Sequence, residues 1–433
     1  MIEKRINDEI QAALEDLFPL ARSITGDANR ETLYYLKKIC DLEVKEISSG
    51  TKCFDWTVPE EWKIANAFIS DLSGECIIDW KENNLHVVSY SAPVHDILTF
   101  EELGPYLHVG ETDDDAIPYR TTYYAKNWGF CISKKQYEKL KVNGGPFEVF
   151  IDSAHFPGHL SYGEVFIPGK SKKEILISTY ICHPSMANDN LSGVLLTAFL
   201  AQWLSQKVNY WSYRIIFVPE TIGAIAYIRT NEAIVKNIDN ALIITNVGGP
   251  GVLGLRQSWD SSSWLNQVAN LCLNENVENY IKYPFDINGS DERQFSQPAH
   301  RINCISITKD KYYEFDYYHT SLDDLSFVNG SQIAYTLEIY KKLIYKIEKT
   351  EIFESLNPSC EVMLSKRDLY PKIGGSQVFG RSKMQRHEII LWIMFLCDGK
   401  TSVDQIKNKL DLTSSEISEL IKLLQVNQLI RRV

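Results

Sequence analysis

The chain has 433 residues, 44% of them hydrophobic and 23% charged, and a formal net charge of −11. That length exceeds one ordinary core, so two or three folded domains are expected, and the excess of acid argues against a molecule that coats nucleic acid or an anionic membrane. Nine scattered cysteines, odd in number and without a CxxC pair, argue against a disulfide framework or a cysteine zinc ribbon and suit a reducing cytoplasm.

The opening stretch MIEKRINDEIQAALEDLF reads as an amphipathic helix over 6–17 and not as a signal peptide. No apolar run reaches spanning length, so a cytoplasmic protein without membrane contact is expected. A second helical pattern, 31–39, follows FPLARSITGDANRE, whose Ser23, Thr25, Gly26 and Asp27 supply turn and cap chemistry. From 48 to 122 short β-like pieces lie among Pro59, Pro93, Pro105 and Pro118, which predicts an inserted, mostly-β domain with Trp56, Trp62 and Trp80 as its own small core.

From 123 to 349 strands and helices alternate, the mark of an α/β core. Strands are expected at 123–132, 147–153, 162–167, 174–181, 213–218, 241–246 and 303–307, with helices after Asn190, Gly223, Ser261 and Ser331. A Pro- and Gly-bearing linker over 355–380 precedes three helical runs (384–397, 402–410, 414–428) and a last β-like piece, the pattern of a small winged helix. The expected division is therefore 1–47 with 123–355 for the core, 48–122 for the insertion and 363–433 for the winged helix.

The stretch EILISTYICHPSMANDNLSGV, 174–194, carries the chemistry. A buried strand stops at a polar loop containing His183 and Asp189, and a helix follows. In open sheets of this kind ligands sit beyond the carboxyl ends of the strands. Two further strands end in polar residues, at Glu220 and Thr221 and at Asn246, and the 303–307 strand is followed by YYHTSLDD with His319 and Asp323. Zinc takes histidine and aspartate ligands, commonly three in a catalytic site, and a nearby glutamate can act as base. His183, Asp189 and His319 are the candidate ligands and Glu220 the candidate base. Singly, each has a plainer reading: a loop histidine, a helix cap, a strand-end acid, one more ring in a tyrosine-rich patch. The remaining histidines, 86, 95, 108, 155, 159, 300 and 387, lack such company and are expected to be structural.

The segments STYICHPSMANDNLSG, FVPETIGAIAYI, GSDERQF and YYHTSLDDLSFV, together with RSITGDANRETL, resemble a bacterial family of polysaccharide-biosynthesis proteins with an aminopeptidase-like domain. The core is more distantly similar to co-catalytic zinc aminopeptidases and glutaminyl cyclases. The resemblance implies an α/β fold, a zinc-aminopeptidase-like mixed sheet flanked by helices, with an inserted mostly-β domain and a C-terminal winged helix. It makes His183 and His319 metal ligands, Asp189 the carboxylate that would bridge two metals, and Glu220 the general base. Thr221 and Asn246 stand where those enzymes have acids. Two divalent ions about 4 Å apart need several carboxylates, so one zinc is expected, with the second site weak or absent. Asp291 matches an aspartate that orients a histidine or meets a substrate amine, and Arg293 is a candidate for a substrate carboxylate or, equally, for a structural ion pair.

The implied activity is hydrolysis of an amide next to a free amine, on a peptide, a small molecule or an amide-linked sugar. The alternatives are a zinc-bearing scaffold and a winged-helix regulator. The third run of the C-terminal unit carries Glu416 and Glu419 against Lys422, a poor face for DNA. A protein partner, or a second copy met through the winged helix, is expected in its place.

Overall fold

Stretches such as EILISTY, rich in β-formers and without polar–apolar alternation, suit a sheet covered on both faces. The computed structural model, which describes residues 2–110, 113–371 and 384–433, places them so. Ser212–Val218, Glu174–Tyr180, Ile238–Ile243 and Asn303–Lys309 run parallel, side by side in that order. Ile175 and Ile177 pack into one layer and Leu176 into the other. The first layer is built on Ile2–Leu17, Gly193–Ser205, Trp264–Asn276 and Gly330–Lys349, the second on Ile222–Thr230.

Antiparallel strands close both sides, giving an eight-stranded mixed sheet. His159–Ile167 and then Glu43–Ser48 lie outside Ser212–Val218, while Leu253–Arg256 and then Ile281–Tyr283 lie outside Asn303–Lys309. At the amino end of the parallel strands Arg214 spans two acids, 2.5 Å from Glu164 and 2.5 Å from Glu174, and Lys45 also reaches Glu164.

The inserted unit is a four-stranded antiparallel sheet, ordered Cys76–Asp79, Glu61–Asp71, Phe147–Phe156, Val94–Leu98. Sequence reading had placed the 147–153 strand in the α/β core. It belongs instead to the insertion, because its residues alternate between buried and exposed, as in a sheet with one solvated face. Of the strand expected over 123–132 only Phe130–Ile132 forms, and it pairs with Leu107–Val109. The tryptophans also separate. Trp80 packs on the inserted core, Trp56 is exposed against Tyr124, and buried Trp62 joins the layer over the main sheet, its indole N–H donating to Ser91 O at 2.9 Å. Gly26 permits that approach, since a Cβ there would lie 2.5 Å from Trp62 O and its φ is +113°.

The carboxyl-terminal unit has the helices Arg386–Leu396, Val403–Lys409 and Ser414–Val426 over a three-stranded sheet of Asp398–Ser402, Ile352–Ser355 and Ile430–Arg432. Its central strand, Ile352–Ser355, falls before the expected linker, too short to stand out by periodicity. We therefore propose divisions near 49–158 for the insertion and 351–433 for the winged helix. Among the described residues, no helix is long and apolar enough to cross a membrane.

Candidate metal centre

The loop after Glu174–Tyr180 is tied down from beneath. Arg22, buried, donates from Nε to His183 O at 3.0 Å and from Nη1 to Leu17 O at 2.6 Å. Asn188 accepts the N–H groups of Gly248 and Gly249 at 2.9 and 3.0 Å, while Asn190 donates to Thr179 Oγ1 at 2.9 Å and Tyr180 O at 3.0 Å. Asp323 lies under this turn, accepting the backbone N–H groups of Asn188 at 2.6 Å and Asp189 at 2.8 Å. The two asparagines and Asp323 thus consume the turn's polar groups and leave the Asp189 carboxylate aimed beyond the strand ends; the Asp189–Asn190 peptide is cis.

His183, Asp189 and His319 offer ligand atoms that all lie within 4.8 Å of one another. Asp189 Oδ1 accepts a hydrogen bond from the Tyr180 hydroxyl. Oδ2 is 3.1 Å from His319 Nε2 but has no hydrogen-bond partner, although the residue is 1% exposed. A buried carboxylate oxygen left unpartnered is costly. Burial opposes ionisation of Asp189, yet His183, His319 and Tyr180 together hold its carboxyl below the ordinary aspartate range. Burial pushes His183 down to about 4, with His319 and Arg22 adding, so at neutral pH its imidazole is uncharged and keeps a lone pair to donate. An anionic carboxylate oxygen and two imidazoles suit a divalent zinc ion, and the site therefore fits one cation.

Glu220 follows Ser212–Val218. Its Oε2 lies 3.9 Å from His183 Nε2, and its side chain keeps 26% exposure, so it stands at the open side of the site. Burial, then Asp291 and Asp189, drive its carboxyl well above the usual glutamate range. Asp291 is pushed up to about 7, chiefly by burial; its Oδ1 accepts the Thr221 N–H at 2.7 Å and its Oδ2 has no partner. Arg293 donates to the Thr221 hydroxyl at 3.2 Å, and its charge acts on both Glu220 and Asp291. Asn246 accepts from Thr245 Oγ1 at 2.6 Å while its Nδ2 is unpartnered. Thr221, Asn246 and His319 all hold positive φ, at 61°, 50° and 55°, strain of the kind that gathers at functional sites. The three-residue cluster excludes Asp291, Glu220 and Asp323.

Sequence reading did not find Tyr180, Arg22 or Tyr119 as parts of this site. Arg22 sits in RSITGD, but its bond to His183 O spans 161 residues and leaves no local signal. Tyr180 could have been suspected from its place at the end of a buried strand, where a hydroxyl needs a partner.

A family model described as a domain of unknown function, DUF4910, matches residues 11–350, and one described as a winged helix-turn-helix matches 351–432. A protein of Clostridium acetobutylicum, named for polysaccharide biosynthesis and an aminopeptidase-like domain, is 42% identical over 401 residues, or 93% of this chain and 91% of that one. The chain belongs to this aminopeptidase-like family. A crystal structure of a peptidase-named protein from the same organism is 39% identical with a TM-score of 0.80, covering 100% of this chain and 97% of that chain. The fold of the aminopeptidase-like domain extends to a zinc aminopeptidase of Bacillus subtilis, 14% identical with a TM-score of 0.58 over 80% of this chain and 95% of that one. It extends likewise to a peptidase M28 precursor of Shewanella amazonensis, 14% identical with a TM-score of 0.54 over 79% and 95%.

Within the aminopeptidase-like domain the two departures noted in the sequence have partners of their own. The Thr221 hydroxyl receives a guanidinium and the Asn246 carbonyl a hydroxyl, so neither presents a free anionic oxygen.

Proposed function

We propose that the protein is a hydrolase of the aminopeptidase type that binds one zinc ion through His183, Asp189 and His319 and cleaves an amide next to a free amine. The observation that carries this reading is the buried Asp189 oxygen that makes no hydrogen bond yet clusters with two imidazoles, 3.1 Å from His319 Nε2. A zinc ion bound there supplies a Lewis acid for a carbonyl oxygen and lowers the pKa of a water. Glu220, at the open side, takes the proton of the attacking water and returns it to the leaving nitrogen. In this reading Asp291, whose Oδ2 has no hydrogen-bond partner, would meet the substrate amine and Arg293 an acidic group of the substrate. A single ion is favoured because Asp189 is the one carboxylate in the ligand cluster.

The relative's name supports an amide in a polysaccharide precursor as substrate, alongside peptides. The winged helix serves a protein contact in this reading, since Glu419 on its third helix already pairs with Arg386 at 2.8 Å and the face offers little basic charge. The test is Glu220→Gln in zinc-loaded protein, assayed on aminoacyl-amides and amide-linked aminosugars. Retained zinc with turnover reduced roughly 100-fold or more supports the reading. Full turnover in the variant overturns the role of Glu220, and none in the wild type on any of these substrates overturns the hydrolase reading in favour of a scaffold.

A further inference from the structure

The inserted unit reaches into the metal cluster through one ring. Tyr119, 5% exposed, packs against both candidate histidines, its centroid 5.2 Å from that of His183 and 5.1 Å from that of His319, edge-on to the latter, while the two imidazoles lie 5.5 Å from each other. The segment carrying it is stitched to the loop of His319. The Tyr119 N–H donates to His319 O at 2.7 Å, the Ser321 N–H to Ile117 O at 2.8 Å and the Ile117 N–H to Ser321 Oγ at 3.0 Å. At its other end the phenol shares a 2.9 Å hydrogen bond with Tyr123.

A metal-binding histidine is ordinarily oriented by a hydrogen bond to its second ring nitrogen. Among the described residues none is made to His319 Nδ1, and the residue stands at a strained φ of 55°. What orients the ring is packing, with Tyr318 stacked on one face at 3.9 Å and Tyr119 against it from the inserted unit. The same Tyr119 ring also borders His183, which Tyr180 flanks at 4.9 Å and whose Nδ1 lies 3.4 Å from Cys182 Sγ, so one ring touches both imidazoles.

Resting on the zinc reading above, we propose that Tyr119 is a positioning residue for the metal centre, and that one task of the inserted unit is to hold His183 and His319 in ligating register. The ring does this work and the hydroxyl does not. Zinc affinity, measured by chelator competition on the full chain, tests it with Tyr119→Phe, Tyr119→Leu and Leu103→Ala. Leu103 lies in the insertion's own core and touches neither imidazole, so its variant lowers the melting temperature and reports what general loosening does. Tyr119→Phe keeps wild-type affinity and Tyr119→Leu weakens zinc roughly 10- to 100-fold. Leu103→Ala retains wild-type affinity below its own melting point. Wild-type affinity in Tyr119→Leu, or equal loss in Leu103→Ala, overturns the positioning role alone. A wild type that takes up no zinc overturns the metal reading and this role with it.

Discussion

The two ends of the parallel strands treat buried charge in opposite ways. At the amino end Arg214 is bonded to Glu164 and Glu174, Lys45 and the Tyr227 hydroxyl add to Glu164, and both acids are satisfied. At the carboxyl end one carboxylate oxygen each of Asp189 and Asp291 has no hydrogen-bond partner, and Thr221, Asn246 and His319 carry positive φ. A charged group closed by its neighbours stabilises a fold without inviting a ligand. One left open makes folding harder and binding easier, which is the difference between a structural ion cluster and a site.

The contrast can be broken by experiment. Arg214→Met leaves two buried acids without their guanidinium and is expected to cost about 3–5 kcal/mol in denaturant unfolding, with zinc affinity unchanged. Loss of zinc binding in that variant would deny that the two ends are independent. Next in size, zinc at about 100 times its dissociation constant should stabilise the wild type by ~2.7 kcal/mol and His319→Ala not at all. Equal stabilisation of both would place the ion elsewhere.

The third effect is one of pH. Burial raises Asp291 to about 7 and Asp323 to about 8 in the folded chain, so between the unfolded carboxylate range and those values the folded state binds more protons. Above about 6.5, where His183, lowered to about 4 by burial, is neutral in folded and unfolded chain alike, metal-free protein therefore loses stability as pH rises to about 8, a slope set by the difference in bound protons. A flat or rising profile over that window contradicts the assignment. Smallest of all, Asp152→Ala on the solvated face of Phe147–Phe156 should change stability by no more than about 0.5 kcal/mol. A larger loss would show that this face is covered.

The same strand shows how far the sequence could be read. Glu174–Tyr180 and Phe147–Phe156 are both rich in β-formers, but all seven residues of the first are buried and those of the second alternate. Attention to period in place of composition would have assigned the second to a one-sided sheet. The candidate ligands were legible because the 174–181 and 303–307 strands both lead into polar loops, which a parallel sheet brings to one rim. Asp323 was visible only as part of YYHTSLDD; its position beneath the Asn188–Asp189 turn follows from tertiary packing. Tyr119 was not legible at all, since its contact with the histidines depends on how an insertion docks, and no spacing within the chain encodes that.

The most direct test of the account is metal content per chain, measured by elemental analysis on protein purified without chelators, for the wild type and Asp189→Asn. One zinc in the wild type and none in the variant is the predicted result. Absence of a stoichiometric transition metal from the wild type, or two ions per chain, would contradict it.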